Sequence, residues 1–122
     1  MIAAKFKVWW DEEKGILYNK SWGDFEEEDA RKQAAEILRT TGSKPGKALA
    51  LNDLREAGKA SSAARKVFSQ LMKNEKVAKH AFVGMRILTR VIVSFIMKAS
   101  GVNNIKFFSN EEDAVKWLKG VE

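Results

Sequence analysis

Ile2, Ala4, Phe6, Val8 and Trp10 alternate with Ala3, Lys5, Lys7 and Trp9, the period of two that predicts a strand with one buried face. Asp11-Glu12-Glu13-Lys14-Gly15 reads as a turn. Ile16, Tyr18 and Trp22 then oppose Leu17, Asn19 and Ser21, so a second strand over Ile16 to Trp22 pairs with the first as an antiparallel hairpin. From Asp24 the period becomes helical. Asp24 with Glu27 forms a capping-box pattern, and Ala30, Ala34, Ile37, Leu38 and Thr41 fall on one stripe that stops before Gly42. Lys47 to Asn52 carries the continuous apolar core Ala48-Leu49-Ala50-Leu51, the pattern of a central strand covered on both faces.

A second helix is predicted from a cap at Ser61 or Ser62, with Ala64, Val67, Phe68, Leu71 and Met72 on its buried stripe. Val77 to Val83 is the next strand, and Gly84 permits a tight exit into a third helix from about Arg86 to Ser100, ended by Gly101. This helix is apolar almost all round. Leu88, Val91, Ile92, Phe95, Ile96 and Ala99 form the stripe expected to face the core, while Ile87, Val93 and Met97 are surplus to a single sheet contact. Ile105 to Phe108 forms a short last strand, and Ser109 with Glu112 caps a final helix bearing Ala114, Val115, Trp117 and Leu118. The order ββαβαβαβα predicts an α/β fold with a small, mixed, mostly parallel sheet, an N-terminal antiparallel hairpin and four helices.

The Trp22-Gly23-Asp24-Phe25 entry to the first helix, the Leu49-Ala50-Leu51-Asn52-Asp53-Leu54-Arg55 strand exit and the closing segment from Phe107 to Leu118 resemble the SpoIIAA-like (STAS-type) bacterial family. The resemblance spans nearly the whole chain and implies the fold just derived. It further implies a regulatory module that binds a partner protein and is switched by phosphorylation at the start of the helix after the central strand, where Ser61 and Ser62 stand here. Other proteins of this fold resemble lipid carriers in which apolar helices cover a pocket.

Length and composition narrow the chemistry. A chain of 122 residues, 45% hydrophobic and 31% charged, fits one globular domain. It has no cysteine, which excludes disulfides, thiolate metal sites and a thiol nucleophile. The lone histidine, His80, lies mid-strand without ligand or triad companions, so a packing or hydrogen-bonding role is expected. Glu26, Glu27, Glu28 and Asp29 begin a helix, where negative charge complements the dipole, and read as capping rather than as paired catalytic acids. No glycine-rich phosphate motif is present, and no enzyme, cofactor or metal site is expected. The N-terminus lacks the apolar run of a secretory signal, and the most apolar stretch, Val91 to Met97, is too short to span a bilayer, so a cytoplasmic location is expected.

Charge is uneven. Residues 1–54 hold nine basic and ten acidic residues, residues 55–90 nine and two, and residues 91–122 four and four, giving net −1, +7 and 0. Arg55, Lys59, Arg65, Lys66, Lys73, Lys76, Lys79, Arg86 and Arg90 are therefore the candidate face for a phosphorylated ligand, an acidic protein or anionic lipid. Nucleic acid is disfavoured, because no aromatic stacking platform interrupts the basic segment. Ile87, Val93 and Met97 are expected to line an apolar pocket or a homodimer seam, the alternative being an internal face between sheet and last helix. Trp9 and Tyr18 are the exposed aromatic candidates, although packing is the commoner role of hairpin aromatics. The functional expectation is a non-catalytic binding or regulatory module engaging an anionic or protein partner. The alternative is a small carrier holding an apolar or amphipathic ligand against the third helix.

Overall fold

The computed structural model describes residues 4–121, and within the third helix the side chains of Leu88, Ile92, Ile96, Ala99 and Ser100 lie outside the description. Ile2 and Ala3 of the expected first strand are also outside the described residues. The elements follow the predicted order: β1 (Phe6–Asp11), β2 (Ile16–Phe25), α1 (Glu27–Gly42), β3 (Ala48–Ala60), α2 (Ser62–Met72), β4 (Val77–Val83), α3 (Ile87–Ser100), β5 (Ile105–Phe108) and α4 (Glu111–Lys119). The sheet runs β1-β2-β3-β4-β5, with β1 antiparallel to β2 and the remaining pairs parallel.

Each crossover from β2 to β5 steps one strand in the same direction, so right-handed connections place α1, α2 and α3 on one face. The chain ends by laying α4 on the other. Successive residues of β2 accordingly serve different layers: Leu17 packs with Ile37, Ala50, Leu71 and Val77, while Ile16 and Tyr18 join Leu51, Ala81, Val83, Ala114 and Leu118. Ile16 and Leu17 are wholly buried, and each such side chain contributes roughly 1.5–3 kcal/mol relative to exposure. Double coverage buries both faces of this strand, which overturns the candidacy of Tyr18 as an exposed aromatic. Tyr18 is buried in the packing role commoner for hairpin aromatics, and Asn19 and Ser21 on the opposite face are buried as well. Trp9 stays partly exposed and stacks on Tyr18, with ring centroids 5.3 Å apart.

β3 is much longer than the apolar run that announces it. Beyond Asn52 it pairs with the far end of β2, Trp22 opposite Glu56, Gly23 opposite Ala57 and Phe25 opposite Ala60, through two register shifts. The resulting two-stranded flap overhangs β4, which ends at Val83. Asp24 clasps it: its Oδ1 accepts the Lys59 N–H at 2.7 Å, and a Cβ at Gly58 would collide with that same oxygen. Gly84, at φ +77, turns β4 into the loop before α3 so close to Arg55 that a Cβ there would lie 3.0 Å from the Arg55 Cα.

Because the flap keeps Asp24 and Phe25 in β2, the first helix is capped two residues later than expected. Glu26 is the cap, and its N–H donates to Asp29 Oδ2 at 2.9 Å. That backbone hydrogen bond, with help from Lys5, holds the Asp29 carboxyl below its ordinary pKa. At α4 the cap is likewise shifted by one position, to Asn110, whose Oδ1 accepts the Asp113 N–H at 2.9 Å. Ser61 caps α2 as one of the two expected serines, its Oγ accepting the Ala64 N–H at 3.1 Å.

Candidate functional site

A cavity of about 760 Å³ opens between the sheet face of β2, β3 and β4 and the three helices on that side. Ile37 of α1, Phe68, Leu71 and Met72 of α2, and Phe82 and Met85 at the end of β4 supply its apolar walls. The β2–β3 flap closes one end with Phe25, Leu54 and Ala57, and α3 roofs it with Thr89 and Val93, the exposed Ile87 at the helix start touching only its edge. The volume is that of a small-molecule site.

The floor is polar and ordered. Gln33, 1% exposed, donates through Nε2 to Asn19 Oδ1 and to Ser21 Oγ, each at 2.7 Å. Asn19 Nδ2 donates to Asn52 Oδ1 at 3.0 Å, and Asn52 Nδ2 reaches the Ala81 carbonyl at 3.3 Å. These residues meet because Asn19 and Asn52 are register partners and Gln33 lies one turn from Ala30 and Ile37 on the buried side of α1. A mutually bonded set of amides keeps fixed orientations at low dielectric.

His80 lines the same cavity. It is 2% exposed, and its Nε2 has no hydrogen-bond partner among the described residues. Burial draws its pKa down to about 4, so the ring is neutral at physiological pH. A neutral imidazole offers one donor and one acceptor nitrogen to whatever enters.

The rim is basic. Lys59 from the flap, Arg65 from α2 and Arg86 at the start of α3 contribute to the lining, and no carboxylate is among the described lining residues. Arg65 is fixed by donating to the Ala60 carbonyl at 2.8 Å and to Ser62 Oγ at 3.3 Å.

The remaining basic candidates lie elsewhere. Arg55 pairs with Asp53 at 2.8 Å and holds that carboxyl below its ordinary pKa, chiefly through the side-chain hydrogen bond. Arg90 donates to the Met85 carbonyl at 3.0 Å beside the roof. Lys66 on α2 and Lys73, the residue just past its end, are exposed. Lys76 is tied to the Gly46 carbonyl at 2.6 Å near the start of β4, and Lys79 to the Trp117 carbonyl at 3.2 Å on the α4 side. Ser61 is half-buried and occupied in capping, whereas Ser62 is exposed.

Of the three surplus apolar residues of α3, Val93 lines the cavity, Ile87 touches its edge but is 78% exposed, and Met97 is half-buried. The stripe expected to face the core is turned differently: Val91 and Phe95 are exposed. Leu88, Ile92, Ile96 and Ala99, the rest of that stripe, have side chains outside the described residues. No described helix is long and apolar enough to cross a membrane.

The family model described as "Domain of unknown function (DUF7793)" matches residues 9–122. The chain belongs to this family. No curated protein matches it significantly. Among solved structures it is similar to an uncharacterized protein of the DUF3478 family with a SpoIIAA-like fold from Shewanella loihica PV-4, at 21% identity and a TM-score of 0.69, covering 93% of this chain and 91% of the other. It is also similar to the anti-sigma factor antagonist SpoIIAA in its unphosphorylated form, at 10% identity and a TM-score of 0.70, covering 95% of this chain and 99% of that one. The fold of this DUF7793 chain is thus SpoIIAA-like, as the resemblance in its sequence implied.

Proposed function

We propose that this protein is a non-catalytic binding module for an amphipathic anion, whose apolar part occupies the cavity beneath α3 and whose charged head meets Lys59, Arg65 and Arg86. The observation that carries this reading is the pairing of apolar walls with a rim that bears cations and, among the described lining residues, no carboxylate. Such a rim excludes cationic amphipaths by like-charge repulsion and leaves a neutral one without its charge-assisted hydrogen bonds. The fold shared with an anti-sigma factor antagonist supports a regulatory setting, in which loading the cavity alters what the α3 side presents to a partner protein.

Native mass spectrometry of the protein incubated with dodecanoate tests the reading. The expected spectrum contains one dodecanoate per chain, and Val93→Asp, which puts a carboxylate into the roof, removes the adduct while the protein remains folded by circular dichroism. A wild-type spectrum with no adduct, or an adduct unchanged by Val93→Asp, contradicts it.

A further inference from the structure

The helix that roofs the cavity has an outer face as well. Ile87, Val91 and Phe95 recur every fourth residue along it and are 78%, 61% and 76% exposed. Lys98 extends the same side toward the C-terminal end and Arg86 stands at the N-terminal end, both exposed. The whole segment from Lys76 to Asn110 contains six basic residues and no acidic one. An apolar ridge with a cation at each end fits an anionic lipid interface, where the acyl boundary accepts the apolar side chains and the headgroups attract the cations.

We propose that this face of α3 docks onto an anionic lipid bilayer, with Ile87, Val91 and Phe95 entering the boundary between headgroups and acyl chains and the exposed Arg86 and Lys98 level with the phosphates. The charge pattern selects this occupant over a second copy of the chain. An antiparallel pairing of two α3 helices would set Arg86 beside the other copy's Lys98, and the segment holds no carboxylate to relieve the repulsion. The shape of the ridge agrees, since large side chains spread over roughly 12 Å of a convex helix need a surface that deforms around them. Docking also brings the basic rim of the cavity to the headgroup layer, the place from which an amphipathic anion would enter. That last consequence rests on the proposed ligand, whereas the docking itself does not.

Sedimentation of the purified chain with vesicles tests the proposal. Wild-type protein is expected to pellet with vesicles of equal parts phosphatidylglycerol and phosphatidylcholine, and to stay in solution with phosphatidylcholine alone. Val91→Asp combined with Phe95→Asp abolishes binding, and Arg86→Glu combined with Lys98→Glu weakens it by about tenfold or more. All four positions are exposed, so circular dichroism should show the fold retained. The proposal is overturned if wild type ignores the anionic vesicles, or if the aspartate pair binds them as tightly as wild type. It is also overturned if polyglutamate captures the wild type as tightly as the vesicles do, which would indicate an acidic protein partner. A wild-type dimer that the aspartate pair makes monomeric, without lipid binding, would overturn it in favour of self-association. Vesicle binding without dodecanoate binding would sink the ligand reading alone.

Discussion

At neutral pH the His80 imidazole is uncharged, because its position against the cavity floor removes the water that would stabilise an imidazolium. The sign of the resulting pH dependence follows from proton uptake. The unfolded chain binds a proton near the ordinary value of 6.5 and the folded protein only near 4, so between these values the unfolded state holds more protons. The stabilisation is complete above pH 6.5 and is lost as pH falls toward about 4. The total loss over this range is about 3 kcal/mol. Urea unfolding of wild type and His80→Leu at pH 7 and pH 5 should show a greater acid loss in wild type, by roughly 2 kcal/mol. Equal losses would mean that water or a polar partner already solvates the ring.

Among the elements, α2 offers a clean comparison, because Ser61 is bonded to the helix and its neighbour is not. Ser61→Ala should destabilise the protein by about 1 kcal/mol in thermal or urea unfolding, and Ser62→Ala by a few tenths at most. Equal effects would contradict the assigned cap. Existence, type and order of the elements were legible because each carries a strong period or a cap. The polar floor was not. Asn19 and Ser21 alternate with the apolar residues of β2, Asn52 merely ends an apolar run, and Gln33 interrupts an apolar stripe, so periodicity alone does not mark them as one buried polar set. The flap was hidden for a related reason: ladder hydrogen bonds to β2 hold Asp53 to Ala60 in a strand without demanding apolar side chains. In α3 the difficulty was rotation. Apolar residues all round identify the helix and leave open which side faces the sheet, and the structure turns Val91 and Phe95 outward.

In the molecule as a whole, these features converge at one end of the sheet. The monotonic strand order brings α1, α2 and α3 to a single face, the flap lengthens that face past β4, and the cavity fills the space between them. Its basic rim gathers Lys59, Arg65 and Arg86 from three separate stretches of sequence, which explains why the local excess of positive charge was visible and its focus was not. Lys76 and Lys79, close by in sequence, are spent on carbonyls away from the rim.

The claim that an amphipathic anion binds with its head at this rim is tested most directly by calorimetric titration of dodecanoate and of dodecan-1-ol into wild-type protein and the Lys59→Glu, Arg86→Glu variant. Both residues are exposed, so the variant should fold normally. The account predicts one saturable dodecanoate site per wild-type chain, weakened about tenfold to a hundredfold in the variant, as expected for loss of charge-assisted contacts, with dodecan-1-ol binding changed little. Dodecanoate affinity that is absent in wild type, or unaltered by reversing the rim charges, would contradict it.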